Sequence, residues 1–203
     1  MIRIGIEING VVRNIHKQIL KYYQKDVDPS LDLEEIDEND DVFKYAKFDS
    51  NASKNEFIYI DYPYEIFGCA KTMNKDLPSD MNNWLSELTN YEEDDVEIFF
   101  FSMNEESLTI QSTYFFLSKI GTRVRKIIFP RDYKEVLDAA DVVITTDAEK
   151  LKYTGLYKIL IRTGFNEDGE KVADKVYNSL NEVIKDSELL TELHKFVNNK
   201  NDE

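Results

Sequence analysis

The chain alternates between short apolar runs of strand length and longer stretches with helical spacing. Ile2-Arg3-Ile4-Gly5-Ile6-Glu7-Ile8 reads as a buried strand rich in β-branched residues. A tight turn at Asn9-Gly10 follows, and then Val12, Ile15, Ile19, Tyr22 and Tyr23 fall on one face of a helix over Val11 to Lys25. Arg13, Lys17, Lys21 and Lys25 fall off that face. Phe57-Ile58-Tyr59-Ile60 reads as a strand stopped by Asp61 and Pro63, and a helix opens at Asp80 as an acidic N-cap and runs through Trp84 to Leu88. Three more strands are predicted at Val96–Ser102, Val124–Phe129 and Asp141–Asp147, and another at Tyr157–Thr163. Between them lie helices over Glu105–Ile120, which offers Leu108, Phe115, Phe116 and Leu117 for burial with Gly121 at C′, and over Arg131–Ala139. The C-terminus reads as helical, with one stripe of Val172, Val176, Leu180, Val183 and Ile184 and a second from Leu189 to Val197. A break is predicted near Asp186-Ser187, and Asn198–Glu203 reads as a polar tail.

Strand and helix in alternation, with one interruption after the first helix, predict an α/β fold: a doubly wound, mainly parallel sheet of about five strands. The 203 residues are read as one domain, 1–203, with a cap-like insertion at 26–92. The insertion opens with an acidic connection, Asp26 to Asp41, carrying a short helix around Leu33 to Ile36. It continues through an aromatic-rich stretch with Tyr62, Tyr64 and Phe67, read as a secondary core or an exposed contact surface.

Composition narrows the function classes. A formal net charge of −15 argues against a general nucleic-acid binder, which needs clustered Lys and Arg. Cys69 is the only cysteine, so no intramolecular disulfide can form and a reducing compartment is expected. No apolar run has the length of a membrane span, and no secretory signal pattern opens the chain. The expected location is therefore cytoplasmic, or a virion if phage-encoded. Richness in Asn, Lys, Asp, Ile and Tyr fits an AT-rich genome such as that of a low-GC bacterium or its bacteriophage. His16 has no second ligand at metal spacing and is read as solvated or capping.

The opening stretch, strand then Glu7-x-Asn9-Gly10-Val11, resembles the first motif of the haloacid dehalogenase-like (HAD-like) phosphotransferases, most closely their 5′(3′)-nucleotidase branch. That family writes the motif Asp-x-Asp-Gly-Val/Thr. Ser102, ending the second core strand, matches the hydroxyl that holds a phosphate oxygen, and Lys134 matches the motif lysine by spacing, with Lys126 as a competing candidate. Thr145 and Thr146 stand where the branch carries an Asp-Asp pair, with Asp147 one place late, and Gly164-Phe165-Asn166 is also similar to that branch.

The resemblance implies an aspartyl nucleophile, an acid/base aspartate and a magnesium ion held by the first Asp, a backbone carbonyl and an acidic residue after the fourth strand. Here Glu7 adds a methylene, and a misplacement of about 1 Å costs on the order of 100-fold. Asn9 cannot move a proton, a loss of roughly 100- to 10,000-fold. Thr145 and Thr146 remove the metal-anchoring charge. The degenerate positions Glu7, Asn9, Ser102, Lys134, Thr145 and Thr146 thus predict a catalytically inactive domain with no cofactor, kept as a structural or protein-interaction module. In a phage it would serve as a virion or assembly component, with protein partners or further copies of itself. Two alternatives stay open. One is a divergent magnesium-dependent phosphatase or 5′-nucleotidase using Glu7 and Asp147 at the metal. The other is a phosphate- or nucleotide-binding pseudoenzyme.

Overall fold

A computed structural model describes residues 1–36, 41–89 and 96–201. In chain order its strands and α-helices are β1 (Ile2–Glu7), β2 (Arg13–Asn14), α1 (Ile15–Asp26), α2 (Asn51–Glu56), β3 (Lys71–Thr72), α3 (Leu77–Thr89), β4 (Val96–Phe101), α4 (Ser107–Ile120), β5 (Lys126–Ile128), α5 (Tyr133–Ala139), β6 (Val142–Thr145), β7 (Tyr157–Ile161), β8 (Lys175–Tyr177), α6 (Leu180–Lys185) and α7 (Leu189–Asn201).

The main sheet has six parallel strands in the order β5-β4-β1-β6-β7-β8. From β1 the chain steps outward through β4 to β5, then returns to the other side of β1 for β6, β7 and β8. The order therefore reverses between β1 and β6, the place where open parallel sheets bind ligands beyond their carboxyl ends. Strand alternation divides the core. Ile2, Ile4, Ile6, Phe100, Val142 and Ile144 face one side, against Met81 and Trp84 of α3, Phe116 of α4 and Leu180 and Val183 of α6. Phe99, Phe101, Val143 and Leu160 face the other, against Tyr133 and Val136 of α5. Gly5 leaves room on this second face, since a Cβ there would lie 2.9 Å from the Phe99 ring.

The α/β sheet expected from the sequence is present, with local differences. The count is six strands because β8 forms from Lys175–Tyr177, inside the stretch read as a helical stripe; Lys175 and Val176 pair with Ile159 and Leu160 of β7. Short β-branched segments carry both periodicities, and an open sheet edge selects the strand. The first helix begins at Ile15, capped by Asn14, because Arg13 and Asn14 pair with Thr72 and Lys71 of β3. Arg13 is fully buried. The predicted strand at Phe57–Ile60 is helical: Tyr62 N–H donates to Phe57 O at 3.2 Å and Cys69 N–H to Tyr64 O at 2.9 Å, closing two π-helical turns over Phe57–Asp61 and Tyr64–Gly68. Burial at Phe57 and Ile58 and exposure at Ile60 lack the alternation of a strand.

Leu33–Ile36 forms turns and bends without a helix. α3 starts at Leu77, so Asp80 lies inside its first turn. α4 starts at Ser107 and ends at Ile120, capped by Gly121 (φ +65°), while Leu108 and Phe115 remain exposed. β5 and α5 are shorter than predicted, and α7 continues to Asn201 through much of the supposed tail, whose last two residues lie outside the described set. The break between α6 and α7 falls where expected.

Between α1 and β4 the chain forms a second core. Ile19, Leu20 and Tyr23 of α1 pack with Val42, Phe57, Ile58, Ile66 and Phe67. α3 instead packs on the main sheet's core. Residues 37–40 and 90–92 of the predicted insertion lie outside the described residues.

Candidate functional site: the carboxyl edge of the sheet

Three strand ends meet at this edge. Glu7 ends β1, Ser102 follows β4 and Thr145 ends β6; all three are buried. Parallel register brings them together, because Glu7 pairs with Phe101 and Ile6 with Ile144. Past Glu7 the chain turns sharply: Val12 N–H and Arg13 N–H both donate to Ile8 O, at 3.0 and 2.8 Å, and Gly10 N–H donates to Arg13 O at 2.9 Å. Gly10 sits at φ +81°, and a Cβ there would lie 2.6 Å from Thr146 Oγ1.

Two polar clusters occupy the edge. In the first, the Thr145 hydroxyl donates to the Glu7 carboxylate, and the Lys150 ammonium forms an ion pair with the same carboxylate. Lys150 Nζ also lies 3.3 Å from the Asp147 carboxylate. The turn Ala148–Lys152 that carries Lys150 is N-capped by Asp147, whose side chain accepts from Glu149 N–H at 3.0 Å. Asp147 N–H in turn donates to Thr145 Oγ1 at 2.9 Å. Beneath lies Tyr133 of α5, whose hydroxyl is buried without a partner among the described residues. Burial first, then the charges of Glu7 and Asp147, push its phenol pKa well up, so it stays protonated.

The second cluster centres on Arg13. Its Nε and Nη2 donate to Asn9 Oδ1 at 2.9 and 2.6 Å, and Nη2 pairs with Glu105 Oε1 at 2.6 Å. Its Nη1 donates to Thr113 Oγ1 at 2.5 Å and to Phe67 O at 3.2 Å. Asn9 Nδ2 donates to Ser102 Oγ at 3.1 Å, and Ser102 Oγ donates to Glu105 Oε1 at 2.5 Å. The guanidinium also lies over the Phe67 and Phe116 rings, at 4.9 and 5.4 Å from their centroids. Burial pulls the Arg13 pKa below its ordinary value, with the Glu105 charge opposing.

The structure thus gathers Glu7, Asn9, Ser102, Thr145 and Asp147 at one edge. Thr146 sits beside them; its hydroxyl faces Gly10 and its carbonyl accepts from Asn166 Nδ2 at 2.9 Å. Lys134 lies exposed in the first turn of α5, and Lys126 pairs with Glu97 at 2.9 Å at the start of β5, away from the carboxyl ends. The lysine that reaches the site is Lys150. Sequence reading missed Lys150, Arg13, Glu105 and Thr113. The Asp147/Lys150 spacing of i,i+3 was a usable signal for a pair, whereas nothing local marks Arg13 and Glu105 as partners.

Magnesium requires about six oxygens in near-octahedral array at 2.0–2.1 Å. The donor set does not fit: an ammonium already lies against both candidate carboxylates, and among the described residues no group of three His, Cys, Asp or Glu could hold a metal. Beside the site is a cleft of about 230 Å³ lined by Gly10, Asn14, His16, Thr146, Thr163 and Phe165. Burial pushes the His16 imidazole below its ordinary pKa, opposed by the Asp41 charge. Among the described residues no helix is long and apolar enough to cross a membrane.

Neither a protein-family model nor any curated protein matches the sequence. Among solved structures, the chain is similar to a haloacid dehalogenase-like hydrolase from Burkholderia xenovorans, with a TM-score of 0.55 and 9% identity over 93% of this chain and 98% of that one. It is also similar to a dehalogenase, with a TM-score of 0.50 and 12% identity over 90% of this chain and 95% of that one. At such identities the likeness is one of fold. The chain is thus an α/β protein with the fold of the haloacid dehalogenase-like hydrolases, its sheet edge filled by its own cations.

Proposed function

We propose that this chain is a HAD-like domain, of the 5′(3′)-nucleotidase type in its element order, that has given up phosphoryl transfer and serves as a structural or protein-interaction module. The observation that carries the reading is the buried Arg13 network. The position that must move a proton is a carboxamide, Asn9, held by two bonds from Arg13. The hydroxyl suited to a phosphate oxygen, Ser102, donates instead to Glu105. General acid/base work and anion binding are both closed to these side chains.

The insertion is clamped as well. Arg13 holds Phe67 O, and Lys119 of α4 donates to Gly68 O and Ala70 O at 2.9 and 2.8 Å. A cap-like segment tied to the core in this way supports a fixed surface over a moving lid. That surface carries exposed Ile60 and Tyr64 beside exposed Leu108 and Phe115 of α4, with the Tyr64 and Phe115 rings 5.3 Å apart. Clustered exposed apolar side chains fit a protein contact. The proposed partners are proteins, including further copies of this chain; the net charge of −15 weighs against direct nucleic-acid contact. With an amino-acid bias that fits an AT-rich genome, this reading suits a cytoplasmic protein or a phage virion or assembly component.

The test is magnesium-dependent hydrolysis of nucleoside monophosphates by the wild type, beside a variant carrying Glu7→Asp, Asn9→Asp, Thr145→Asp and Lys150→Ala. Activity is expected in the variant alone, or in neither. Turnover by the wild type with magnesium overturns the inactive reading in favour of a divergent phosphatase. The nucleotide-binding reading has one observation in its favour: Thr163 Oγ1 is buried without a partner among the described residues, and Thr163 lines the cleft beside Gly10. It requires a rise in melting temperature with millimolar phosphate or nucleoside monophosphate.

A further inference from the structure

The strip with Ile60 and Tyr64 on one side and Leu108 and Phe115 on the other is a groove with a floor and an edge. Gly68 is part of the floor: a Cβ there would lie 3.1 Å from the Tyr64 ring and 3.4 Å from the Phe115 ring, so both rings close over bare backbone. Toward Leu108 a hollow of about 540 Å³ opens between Tyr59 and Ile60 on one wall and Ser107, Leu108 and Thr109 on the other. The second wall is held in place. Asn104 (φ +59°) and Ser107 (φ +39°) are the non-glycine residues with positive φ among the described residues, and they bracket Glu105, which the buried Arg13 pins. Strained backbone of this kind persists only where its surroundings hold it. A groove so held needs little ordering when a partner docks.

The edge is acidic. Glu56 and Glu106 line the hollow, and Asp61 and Glu65 follow Ile60 and Tyr64 in the chain. None of the four forms an ion pair among the described residues. The lysines of the same two segments are engaged elsewhere. Lys54 Nζ lies over the Phe43 ring, 5.0 Å from its centroid, and Lys119 holds Gly68 O and Ala70 O. Leu108 and Phe115 stand two turns apart on α4, about 10 Å along its axis. Apolar anchors at i, i+3 or i+4 and i+7 of an accompanying helix span the same length.

We infer that this groove docks a basic amphipathic helix of a partner protein, its apolar stripe seated among Ile60, Tyr64, Leu108 and Phe115 and its flanking Lys and Arg paired with Glu56, Asp61, Glu65 and Glu106. The inference rests on the interaction-module reading and narrows it to one partner chemistry. A second copy is a poor occupant of this face. A two-fold contact would set the same four carboxylates against their own counterparts, and like charges so juxtaposed oppose association.

The experiment is selection of a phage-displayed library of helical peptides on the whole chain, followed by titration of the most enriched peptide by fluorescence anisotropy. Enriched sequences are expected to carry apolar residues at i, i+3 or i+4 and i+7 with Lys or Arg beside them. Binding should weaken at least about tenfold in Leu108→Asp and in Glu56→Lys/Glu106→Lys. It should also fall with added salt and be unaffected by Glu188→Lys, a charge reversal at an exposed position outside the groove. No enrichment above bare support, enrichment of acidic peptides, or binding indifferent to the groove variants overturns the inference. Equal weakening by Glu188→Lys does the same, because it marks bulk charge in place of a site. Should Leu108→Asp not fold, Ile60→Asp on the opposite wall replaces it. A wild-type dimer in sedimentation that Leu108→Asp dissociates gives the groove to a second copy, which overturns the basic partner and leaves the interaction module standing. Turnover of nucleoside monophosphates by the wild type overturns the inactive reading in a separate assay, without moving the peptide titration, so the two failures are distinguishable.

Discussion

At the residue scale, the largest change that the fold makes to the sequence is the burial of Arg13. On a helical wheel it belongs with the solvated lysines. In the structure it is fully buried and touches Asn9, Glu105, Thr113 and Phe67. Removing one partner of a buried ion pair leaves the other charge uncompensated, at a cost of about 3–5 kcal/mol. Arg13→Met is therefore expected to destabilise the chain by that amount in urea unfolding. Arg13→Met/Glu105→Gln should recover a substantial part of it. Additive losses from the two single changes would contradict the direct coupling.

Elements in this chain are set by their surroundings as much as by local preference. Gly10 lets the β1 turn close at φ +81° against Thr146. Gly10→Ala should cost about 1–2 kcal/mol for the left-handed backbone alone, with the Thr146 contact added. A melting temperature equal to wild type would remove that account. At the other end of the sheet, Asp186 in the α6–α7 break accepts from Lys175 Nζ at 2.8 Å and from Tyr177 Oη at 2.6 Å, tying the break to β8. These bonds, that of Lys175 first, hold the Asp186 pKa at about 2. A carboxylate depressed on folding stabilises above its unfolded pKa of about 3.9, and that contribution is lost as pH falls through about 2. The melting temperature of Asp186→Asn should accordingly fall less than that of wild type between about pH 4 and pH 2. Parallel profiles would refute this linkage.

For the molecule as a whole, the interaction reading predicts separable effects on assembly and stability. Ile60→Asp and Phe115→Asp alter exposed side chains 69% and 45% accessible. Each should leave unfolding free energy within about 0.5 kcal/mol of wild type. If the strip formed by Ile60, Tyr64, Leu108 and Phe115 joins copies of the chain, sedimentation should report dissociation in both variants. A wild type that is monomeric at high concentration and captures no partner removes support for the interaction module.

By itself the sequence determined the alternation of strand and helix, the parallel sheet, the turn after Glu7 and the placing of Glu7, Asn9, Ser102 and Thr145 at strand ends. Those features follow from local hydrophobic period and turn chemistry, which are written in neighbouring residues. Tertiary structure alone decided that Lys175–Tyr177 is a strand, that Phe57–Asp61 winds as a π-helical turn, and that Lys150 and Arg13, rather than Lys134, reach the sheet edge. The reason is the same in each case. A free sheet edge, a second core and an unpaired buried carboxylate are supplied by residues far away in sequence. Arg13 meets Glu105 across 92 positions and Lys150 meets Glu7 across 143, separations at which local pattern carries no signal.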